Sequence, residues 1–331
     1  MRKILCLCLC AAALQFAAVP VSGTELIPVG SAVALELTAD GAYVVDFDPD
    51  SPAREAGLQK GDLITAVNGA PLEELTVLTD AGSACAGKSL TLDLLRDGRA
   101  AAVSVTPVRK AGGWRLGLYV KDKLSGIGTV TFYDPESGLF AALGHGVSEG
   151  EPGSLFRLRC GFADAARITA VERGAAGNPG SLHGAALEGE PLGTVTANTP
   201  CGVFGTAEAA PWMGAALPVA APGEVCTGSA QILATVDGVA VRSYDIRILE
   251  LHPGDRLHRN LLIQVTDPAL LAKTGGIVQG MSGSPILQNG RLVGAVTHVL
   301  INNPARGYGI LAAEKIDIYN YSADPLSEAD L

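Results

Sequence analysis

Short apolar runs separated by Gly- and Pro-containing turns fill the second part of the chain, and this pattern limits the possible folds most. The runs include Thr129–Tyr133, Ile232–Val236, Ile246–Leu251 and Leu261–Val265. Among 331 residues there are 41 Gly and 19 Pro but only 7 Phe and 7 Tyr. No long stretch has the apolar period of an amphipathic helix. Residues 109–331 are therefore predicted to form one large β domain, either a sandwich or paired barrels.

The segment SPAREAGLQKGDLITAVNG, residues 51–69, joins a helix start, a helix stop and two turns. Ser51 is placed to cap a short helix whose first residue is Pro52, and Gly57 ends that helix. Asn68-Gly69 predicts a tight turn after the next strand. Upstream, SAVALELTADGAYVVDF alternates apolar and polar residues and predicts a hairpin that turns at Asp40-Gly41.

These residues resemble a PDZ domain, with bounds at residues 26–108. A PDZ domain binds an extended peptide by adding it to the edge of a sheet. By resemblance the receiving edge is Ala32–Leu37, and the loop before it supplies backbone N–H groups. The peptide-binding residues would then be Gly30, Ser31, Ala32 and Val33. The alternative is a docking domain that holds the second part of the chain and binds no free peptide.

The N-terminus has the pattern of a targeting segment. Met1-Arg2-Lys3 is basic, residues 4–21 are mostly apolar, and Val21-Ser22-Gly23 offers small residues near a cleavage point. The apolar stretch also approaches the length of a membrane span. Residues 1–23 are therefore either a cleaved signal peptide or an uncleaved anchor, and both alternatives predict export across the cytoplasmic membrane.

Charge and cysteine usage argue against two classes of function. The chain carries 34 Asp and Glu against 24 Lys and Arg, without a basic run interleaved with aromatics, so no nucleic-acid partner is expected. The cysteines after the leader form no CxxC pair and no paired Cys/His spacing, so neither a metal nor another cofactor is expected. These cysteines are Cys85, Cys160, Cys201 and Cys226. A disulfide among the last three and unpaired thiols are both open alternatives.

The sequence Gly280-Met281-Ser282-Gly283-Ser284-Pro285 lies between two apolar runs and contains a candidate nucleophile. Serine catalysis needs an exposed hydroxyl and backbone N–H groups for the developing oxyanion, and flanking glycines leave room for both. A glycine follows Ser282, whereas Pro285 follows Ser284. Ser282 is therefore the preferred nucleophile and Ser284 its competitor.

A serine hydroxyl needs a base, and the chain has five histidines. His145 stands in LFAALGHGV, at the end of an apolar run and between two glycines, where an imidazole has space around it. His298, on a buried-looking strand after Ser282, is interpreted as a core or supporting histidine. Asp267 closes the strand before Ser282 and is the candidate acid, although an Asp-Pro pair after a strand is also an ordinary helix cap.

The second part of the chain resembles the SpoIVB peptidase family, stage IV sporulation protein B of endospore-forming bacteria. The segments that carry the resemblance are GIGTVTFYDPESGLFAALGHGV, GNPGSL, AQILATVDG and TDPALLAKTGGIVQGMSGSPILQNGRLVGAVTHVLINNPARGYGI. The resemblance implies a catalytic histidine at His145, an acid at Asp267 and a nucleophile at Ser282. It also implies an oxyanion hole formed by the N–H groups of Gly280 and Ser282. The expected fold is mainly β, with an N-terminal α+β PDZ domain followed by a chymotrypsin-like two-barrel serine peptidase domain over residues 109–331.

By the same resemblance the chain is expected to be an exported serine endopeptidase in sporulation signalling. Its implied substrate is a membrane-associated regulatory protein, with the chain itself as a second candidate, cut in the space between the two membranes around the forespore. A peptide or a protein C-terminus would be the ligand of the PDZ domain. The alternative from another class is a catalytically inert PDZ scaffold with a protease-like domain.

Overall fold

The computed structural model describes residues 23–149 and 154–323. The expected leader therefore lies outside the described residues, apart from Gly23. Within the described ranges, every helix is too short or too polar to span a bilayer.

The first part of the described chain contains eight strands and two helices. In chain order they are β1 (Glu25–Pro28), β2 (Ala32–Phe47), α1 (Pro52–Glu55), β3 (Leu63–Val67), β4 (Ala70–Pro71), α2 (Leu75–Ala84), β5 (Leu90–Arg96), β6 (Arg99–Val105), β7 (Val108–Lys110) and β8 (Gly113–Arg115). As predicted, Ser51 caps α1 by accepting a hydrogen bond from the N–H of Arg54, and Pro52 occupies the first turn.

The second part is dominated by longer strands. They are β9 (Leu118–Tyr133), β10 (Leu139–Ala142), β11 (Leu158–Glu172), β12 (Ser181–Thr199), β13 (Gly202–Ala207), β14 (Leu217–Pro218), β15 (Gly228–Ala234), β16 (Arg242–Leu251), β17 (Leu261–Val265), β18 (Pro285–Gln288), β19 (Arg291–Leu300) and β20 (Asn303–Leu311). A 3-10 helix spans Pro222–Glu224, α3 (Pro268–Thr274) separates β17 from β18, and α4 (Ala312–Ala323) follows β20.

Twelve of the twenty described strands build two six-stranded barrels, and both barrels have the same strand order. The first barrel runs β2-β9-β10-β13-β12-β11 and closes through pairing of β2 with both β9 and β11. The second runs β15-β16-β17-β20-β19-β18 and closes through pairing of β15 with β18. In each barrel the first three strands follow in chain order and the last three in reverse. This confirms a mainly β fold with a PDZ part and a chymotrypsin-like pair of barrels.

β2 runs straight through Asp40-Gly41, so the hairpin predicted at that point is wrong. Gly41 has a φ of 132°, and a Cβ placed on it would lie 2.3 Å from the carbonyl oxygen of Ile64. The pairing of β2 with β9 shifts register between Thr38 and Tyr43. Gly41 therefore marks a strand irregularity with close backbone approach, which looks in sequence like the glycine of a turn.

β2 and β9 are each shared between the first barrel and the PDZ part. From Ala32 to Thr38, β2 pairs with β9 and β11 inside the barrel. From Ala42 onward it pairs with β3 and with the first residues of β9. The PDZ part thus extends from Ala42 to Lys121 and is inserted between the first two strands of the barrel. The predicted bounds of 26–108 are wrong, because β1 pairs with the barrel strand β9 and the first half of β2 is itself part of the barrel.

α4 joins the two barrels from outside. Its residues Ile316 and Tyr319 belong to a buried cluster with Phe132 and Phe204 of the first barrel and Leu292 of the second. This shared core fixes the barrels against each other.

The cysteine alternatives are resolved in favour of thiols. Cys85, Cys160, Cys201 and Cys226 are all free, with Cys201 buried and Cys226 exposed.

Candidate active site

The loop that carries Ser282 connects α3 to β18 and is bound directly to the first barrel. Thr129 of β9 donates its backbone N–H to the carbonyl oxygen of Ser282 at 3.2 Å and its hydroxyl to the carbonyl oxygen of Gly280 at 2.8 Å. A Cβ on Gly283 would lie 2.2 Å from the carbonyl oxygen of Thr129. Glycine at this position is therefore what lets the two barrels meet behind the serine.

The two serines of the loop lie in different environments. Ser282 is partly exposed, whereas Ser284 is fully buried at 0% exposure. The Ser284 hydroxyl has no hydrogen-bond partner among the described residues. A buried hydroxyl is out of reach of a substrate, so of the two serines only Ser282 is accessible to one.

His145 follows β10 and lies beside the serine loop. The N–H of Gly144 donates to Oγ of Ser282 at 2.9 Å, which joins the histidine segment to the candidate nucleophile. Nδ1 of His145 lies 2.9 Å from the carbonyl oxygen of Gly146. Because a carbonyl oxygen only accepts, Nδ1 must carry the proton, and Nε2 keeps its lone pair. A backbone carbonyl thus sets the tautomer that a general base requires.

The segment after His145 is fixed by Asn198 at the end of β12. Asn198 accepts the N–H of Val147 at 2.9 Å and donates to the carbonyl oxygens of Val147 and Phe156 at 2.8 and 2.9 Å. The carbonyl oxygen of Pro200 accepts the N–H of Gly146 at 3.0 Å. These bonds hold the Gly146 carbonyl where it meets the imidazole.

His298 is the second histidine of the site. Its ring stacks on that of His145, with centroids 4.8 Å apart and planes inclined by 30°. Burial, His145 and Arg259 lower the pKa of His298 to about 4. Burial is also the main cause that lowers the pKa of His145, where the Gly146 carbonyl acts to raise it and Lys315 to lower it. Both imidazoles are therefore neutral at pH 7.

Asp267 does not reach His145. It is the N-cap of α3, where one carboxylate oxygen accepts the N–H of Leu270 at 2.9 Å and the other that of Asp245 at 3.4 Å. In the ranges that the structure describes, no carboxylate is hydrogen-bonded to His145. The prediction of Asp267 as the orienting acid is therefore wrong, and its alternative interpretation as a helix cap is confirmed.

The backbone around the nucleophile leaves two N–H groups without acceptors. Met281 donates its N–H to Val278 at 3.1 Å, and Gly283 donates to Val296 at 2.8 Å. The N–H groups of Gly280, just before Met281, and of Ser282, between Met281 and Gly283, have no acceptor among residues 23–149 and 154–323. They are available to a ligand oxygen.

A cavity of about 550 Å³ lies between the barrels and includes Ser282, His145 and His298 in its wall. Most of its remaining wall is aliphatic, with Leu35 and Leu124 among the contributors. No Asp, Glu, Lys or Arg of the described chain lines it. Clusters of three or more potential metal ligands are also absent from the described ranges. The cavity therefore suits an apolar group next to a nucleophile.

The predicted peptide-binding edge of the PDZ domain is buried in the first barrel, so this prediction is wrong. It comprised Gly30, Ser31, Ala32 and Val33. Gly30 donates its N–H to Val130 at 2.8 Å, and a Cβ on it would lie 2.5 Å from Cβ of Leu233 in the second barrel. Val33 pairs with Gly128 on one side and Ala165 on the other, which leaves no free edge.

A second cavity, of about 470 Å³, lies in the PDZ part between α2 and the start of β9. Leu78 and Gly82 of α2 line one wall, and Leu116 and Leu118–Val120 line the other. On one side Leu118–Val120 pairs with β2, and on the other it has no strand partner among the described residues. An open strand edge beside a helix can receive an extended peptide.

Three features of the site were not predicted from the sequence: Thr129, Asn198 and the Leu116–Val120 edge. The apolar-Gly-apolar pattern in Leu116-Gly117-Leu118 was a usable signal for the edge. Asn198 gave no local signal, because its partners lie 51 and 42 residues away in the chain.

Comparison with known proteins agrees with this architecture. A family model described as SpoIVB peptidase S55 matches residues 112–316, which is more than half of the chain. A PDZ domain model matches residues 43–96. The latter range begins within one residue of the point where β2 enters the PDZ part.

Curated relatives match over shorter stretches. Periplasmic serine endoprotease DegP of Escherichia coli strain K12 is 38% identical over 89 residues, or 26% of this chain and 18% of that protein. Putative zinc metalloprotease LL2128 of Lactococcus lactis is 32% identical over 129 residues, or 34% of this chain and 30% of that protein. The chain thus spans less than a third of the length of these relatives.

Among solved structures, Rv3671c protease of M. tuberculosis in an inactive form is 16% identical. It has a TM-score of 0.36 and covers 58% of this chain and 82% of its own. The thermostable serine protease AL20 from an extremophilic microorganism is 13% identical with a TM-score of 0.34, over 60% of this chain and 91% of its own. On the extent of the family match, together with the barrels and the PDZ part, the chain belongs to the SpoIVB peptidase S55 family.

Proposed function

We propose that the chain is a serine endopeptidase in which Ser282 is the nucleophile and His145 the general base. The observation that carries the proposal is the meeting of the two residues, one from each barrel, in the wall of one cavity. The direct bond from Gly144 to Oγ of Ser282 supports it.

In the proposed reaction, Oγ of Ser282 attacks a peptide carbonyl while its proton passes to Nε2 of His145. The Ser282 oxygen accepts from Gly144, so its own O–H stays free to point at the imidazole. His145 then returns the proton to the leaving amine. The Gly146 carbonyl acts in place of an orienting carboxylate, since it holds the proton on Nδ1.

The developing oxyanion would be held by the N–H groups of Gly280 and Ser282. Both are without other acceptors in the described chain, and Thr129 fixes the loop on which they lie. Each such donor contributes about 3–4 kcal/mol to lowering the barrier in serine peptidases.

The substrate side chain bound beside Ser282 would be apolar, because the described wall of the cavity carries no ionised side chain. Burying one aliphatic side chain contributes about 1.5–3 kcal/mol. The PDZ part would hold a second stretch of substrate, or another peptide, along the open edge of Leu118–Val120.

The family membership supports a finer proposal for the biological role. The chain would be exported, act at the membrane in sporulation, and cut a membrane-associated regulatory protein and itself. In an endospore-forming bacterium lacking its own SpoIVB peptidase, the full chain should restore spore formation and its Ser282→Ala variant should not. Equal complementation by both would contradict the proteolytic role.

The reaction itself is tested with a fluorophosphonate probe on the full chain, with the adduct located by mass spectrometry. Label is expected on Ser282, retained in Ser284→Ala and lowered by about 10⁴-fold in His145→Gln. Cleavage of a peptide mixture by the same preparation should occur next to apolar residues. A folded wild-type chain that takes no label would instead favour an inert PDZ scaffold.

A further inference from the structure

Lys315 of α4 is a fully buried cation at the back of the site. Its side chain has 0% exposure, and Nζ donates to the carbonyl oxygens of Leu143 at 2.7 Å and Cys201 at 2.5 Å. The ammonium also lies 4.8 Å from the centre of the Phe204 ring. No carboxylate of the described chain pairs with it. A buried charge without an opposite charge costs stability, so its remaining contacts are its only compensation.

One carbonyl belongs to the segment that carries His145, and the other belongs to the turn between β12 and β13 that binds this segment. Leu143 precedes His145 by two residues and has a φ of 60°, a left-handed conformation that costs energy in a residue other than glycine. Cys201 follows Pro200, and the carbonyl oxygen of Pro200 accepts a hydrogen bond from the N–H of Gly146, the residue after His145. Lys315 therefore binds the segment before His145 directly, and it also binds the turn that holds the segment after His145.

Gly202 provides the space for this bridge. A Cβ at that position would lie 2.5 Å from Nζ of Lys315 and 2.5 Å from the carbonyl oxygen of Leu143. α4, the end of β10 and the turn between β12 and β13 thus converge on one ammonium group.

We infer that Lys315 is a positioning residue for catalysis, which fixes the backbone before His145 and the turn that binds the backbone after it. This inference rests on the proposed function of Ser282 and His145. The lysine touches neither substrate nor the reacting atoms and acts through the imidazole.

The charged and titratable groups around this position define the expected pH behaviour. Burial lowers the pKa of Lys315 to about 8, and Cys201 opposes that shift. Burial raises the pKa of the Cys201 thiol, so it titrates above Lys315. Glu314, next to Lys315, is paired with His258 at 2.5 Å. The charge of Lys315 also acts on the pKa of His145, whose ring stacks on that of the neutral His298.

A positive charge near His145 disfavours its protonated form, so removing that charge should raise the His145 pKa. The test compares Lys315→Met, which keeps the length of the side chain, with wild type and with Lys273→Met. Lys273 is a matched control, because it lies on α3 and pairs with Asp237 at the surface. Readouts are the fluorophosphonate labelling rate against pH and the His145 pKa from an NMR titration of the imidazole.

Lys315→Met should lower the labelling rate by about 10- to 100-fold through misplacement of the imidazole. The acid limb of its pH profile and the NMR pKa of His145 should both move to higher pH, while Lys273→Met stays at wild-type values. An unchanged His145 pKa in Lys315→Met would overturn the inference even if labelling slows, because the lysine would then serve packing alone. The NMR titration decides the point even if Ser282 takes no label, so failure of the proposed function is recognised separately.

Lys315→Gln provides a second test if Lys315→Met does not fold, because its amide can still donate to a carbonyl oxygen while the substitution removes the charge. The NMR pKa of His145 should rise in this variant as well. An unchanged His145 pKa in a folded Lys315→Gln chain would overturn the inference.

Discussion

The two segments that form the site, the serine loop of residues 275–284 and the histidine loop of residues 143–149, are held by different means. The serine loop is held mainly by backbone hydrogen bonds, some within the loop and others to Gly180, Val296 and Pro304, and by Thr129 of the neighbouring barrel. The histidine loop depends on remote side chains, since Asn198 binds its backbone after His145 and Lys315 binds it before. The position of Ser282 thus depends mainly on backbone groups, whereas that of His145 depends on side chains that lie far from it in the sequence.

Removing the support of the histidine loop gives the largest expected effect. Asn198→Ala breaks three hydrogen bonds and leaves the Val147 and Phe156 backbone groups unpaired. The free energy of unfolding should fall by on the order of 2–3 kcal/mol, and fluorophosphonate labelling of Ser282 should slow with it. Urea denaturation and labelling rates provide the measurements.

Asn302→Ala serves as the control for that variant, because Asn302 is exposed in the turn between β19 and β20. Equal stability and equal labelling for the two alanine variants would mean that the histidine loop holds itself, and the contrast between the two loops would be lost.

Protonation of His145 gives an intermediate effect, and it tests how strongly burial controls the pKa in the histidine loop. The pKa of His145 is lowered in the folded chain, so labelling should decline only below pH 6.5 as the imidazole gains a proton. His298 is lowered in the same direction. The unfolded chain therefore binds more protons in this range, and folding stability is complete above pH 6.5 and falls as pH drops below it.

Each histidine contributes at most about 1.4 kcal/mol per pH unit to that loss. Labelling and thermal melting between pH 4 and 8 would show both trends. An acid limb centred above pH 6.5 would contradict the burial of His145 as the controlling factor.

The smallest expected effect concerns Asp267. Asp267→Ala removes the cap of α3 and should lower stability by about 1 kcal/mol. Labelling of Ser282 should change by less than about threefold, because the carboxylate does not contact His145. Loss of an acid that orients the base would instead lower the labelling rate by about 10⁴-fold. Asp267→Asn, which can still cap, should restore stability, and a large loss of labelling in both variants would show that Asp267 does act on His145.

Sequence was a good guide where function depends on local chemistry. The glycines around Ser282, the cap at Ser51 and the alternating strands all produce the expected elements, because turns, caps and strands are set by neighbouring residues. The sequence was misleading where a residue can have either of two structural roles in the same local context. Gly41 looks like a turn but permits the close approach of Ile64, and Asp267 looks like an acid but caps a helix.

The remaining errors came from contacts between distant segments. Nothing near Gly30 indicates that it packs against Leu233 of the second barrel, roughly two hundred residues further on. Lys315 stands at a helical spacing from Ala312 and Tyr319 on the buried side of α4, and a lysine in such a stripe was the one sequence sign of its unusual position.

The sharing of β2 and β9 changes how the PDZ part should be regarded. Thr38 and Lys123 are register partners in neighbouring antiparallel strands, so the chain leaves the barrel and re-enters it at adjacent points. A two-residue turn in place of the intervening residues would connect the same two strands as a β-hairpin. The PDZ part is in this sense a large insertion at the tip of a hairpin of the first barrel, and the barrel pairings of Ala32–Thr38 lie outside it.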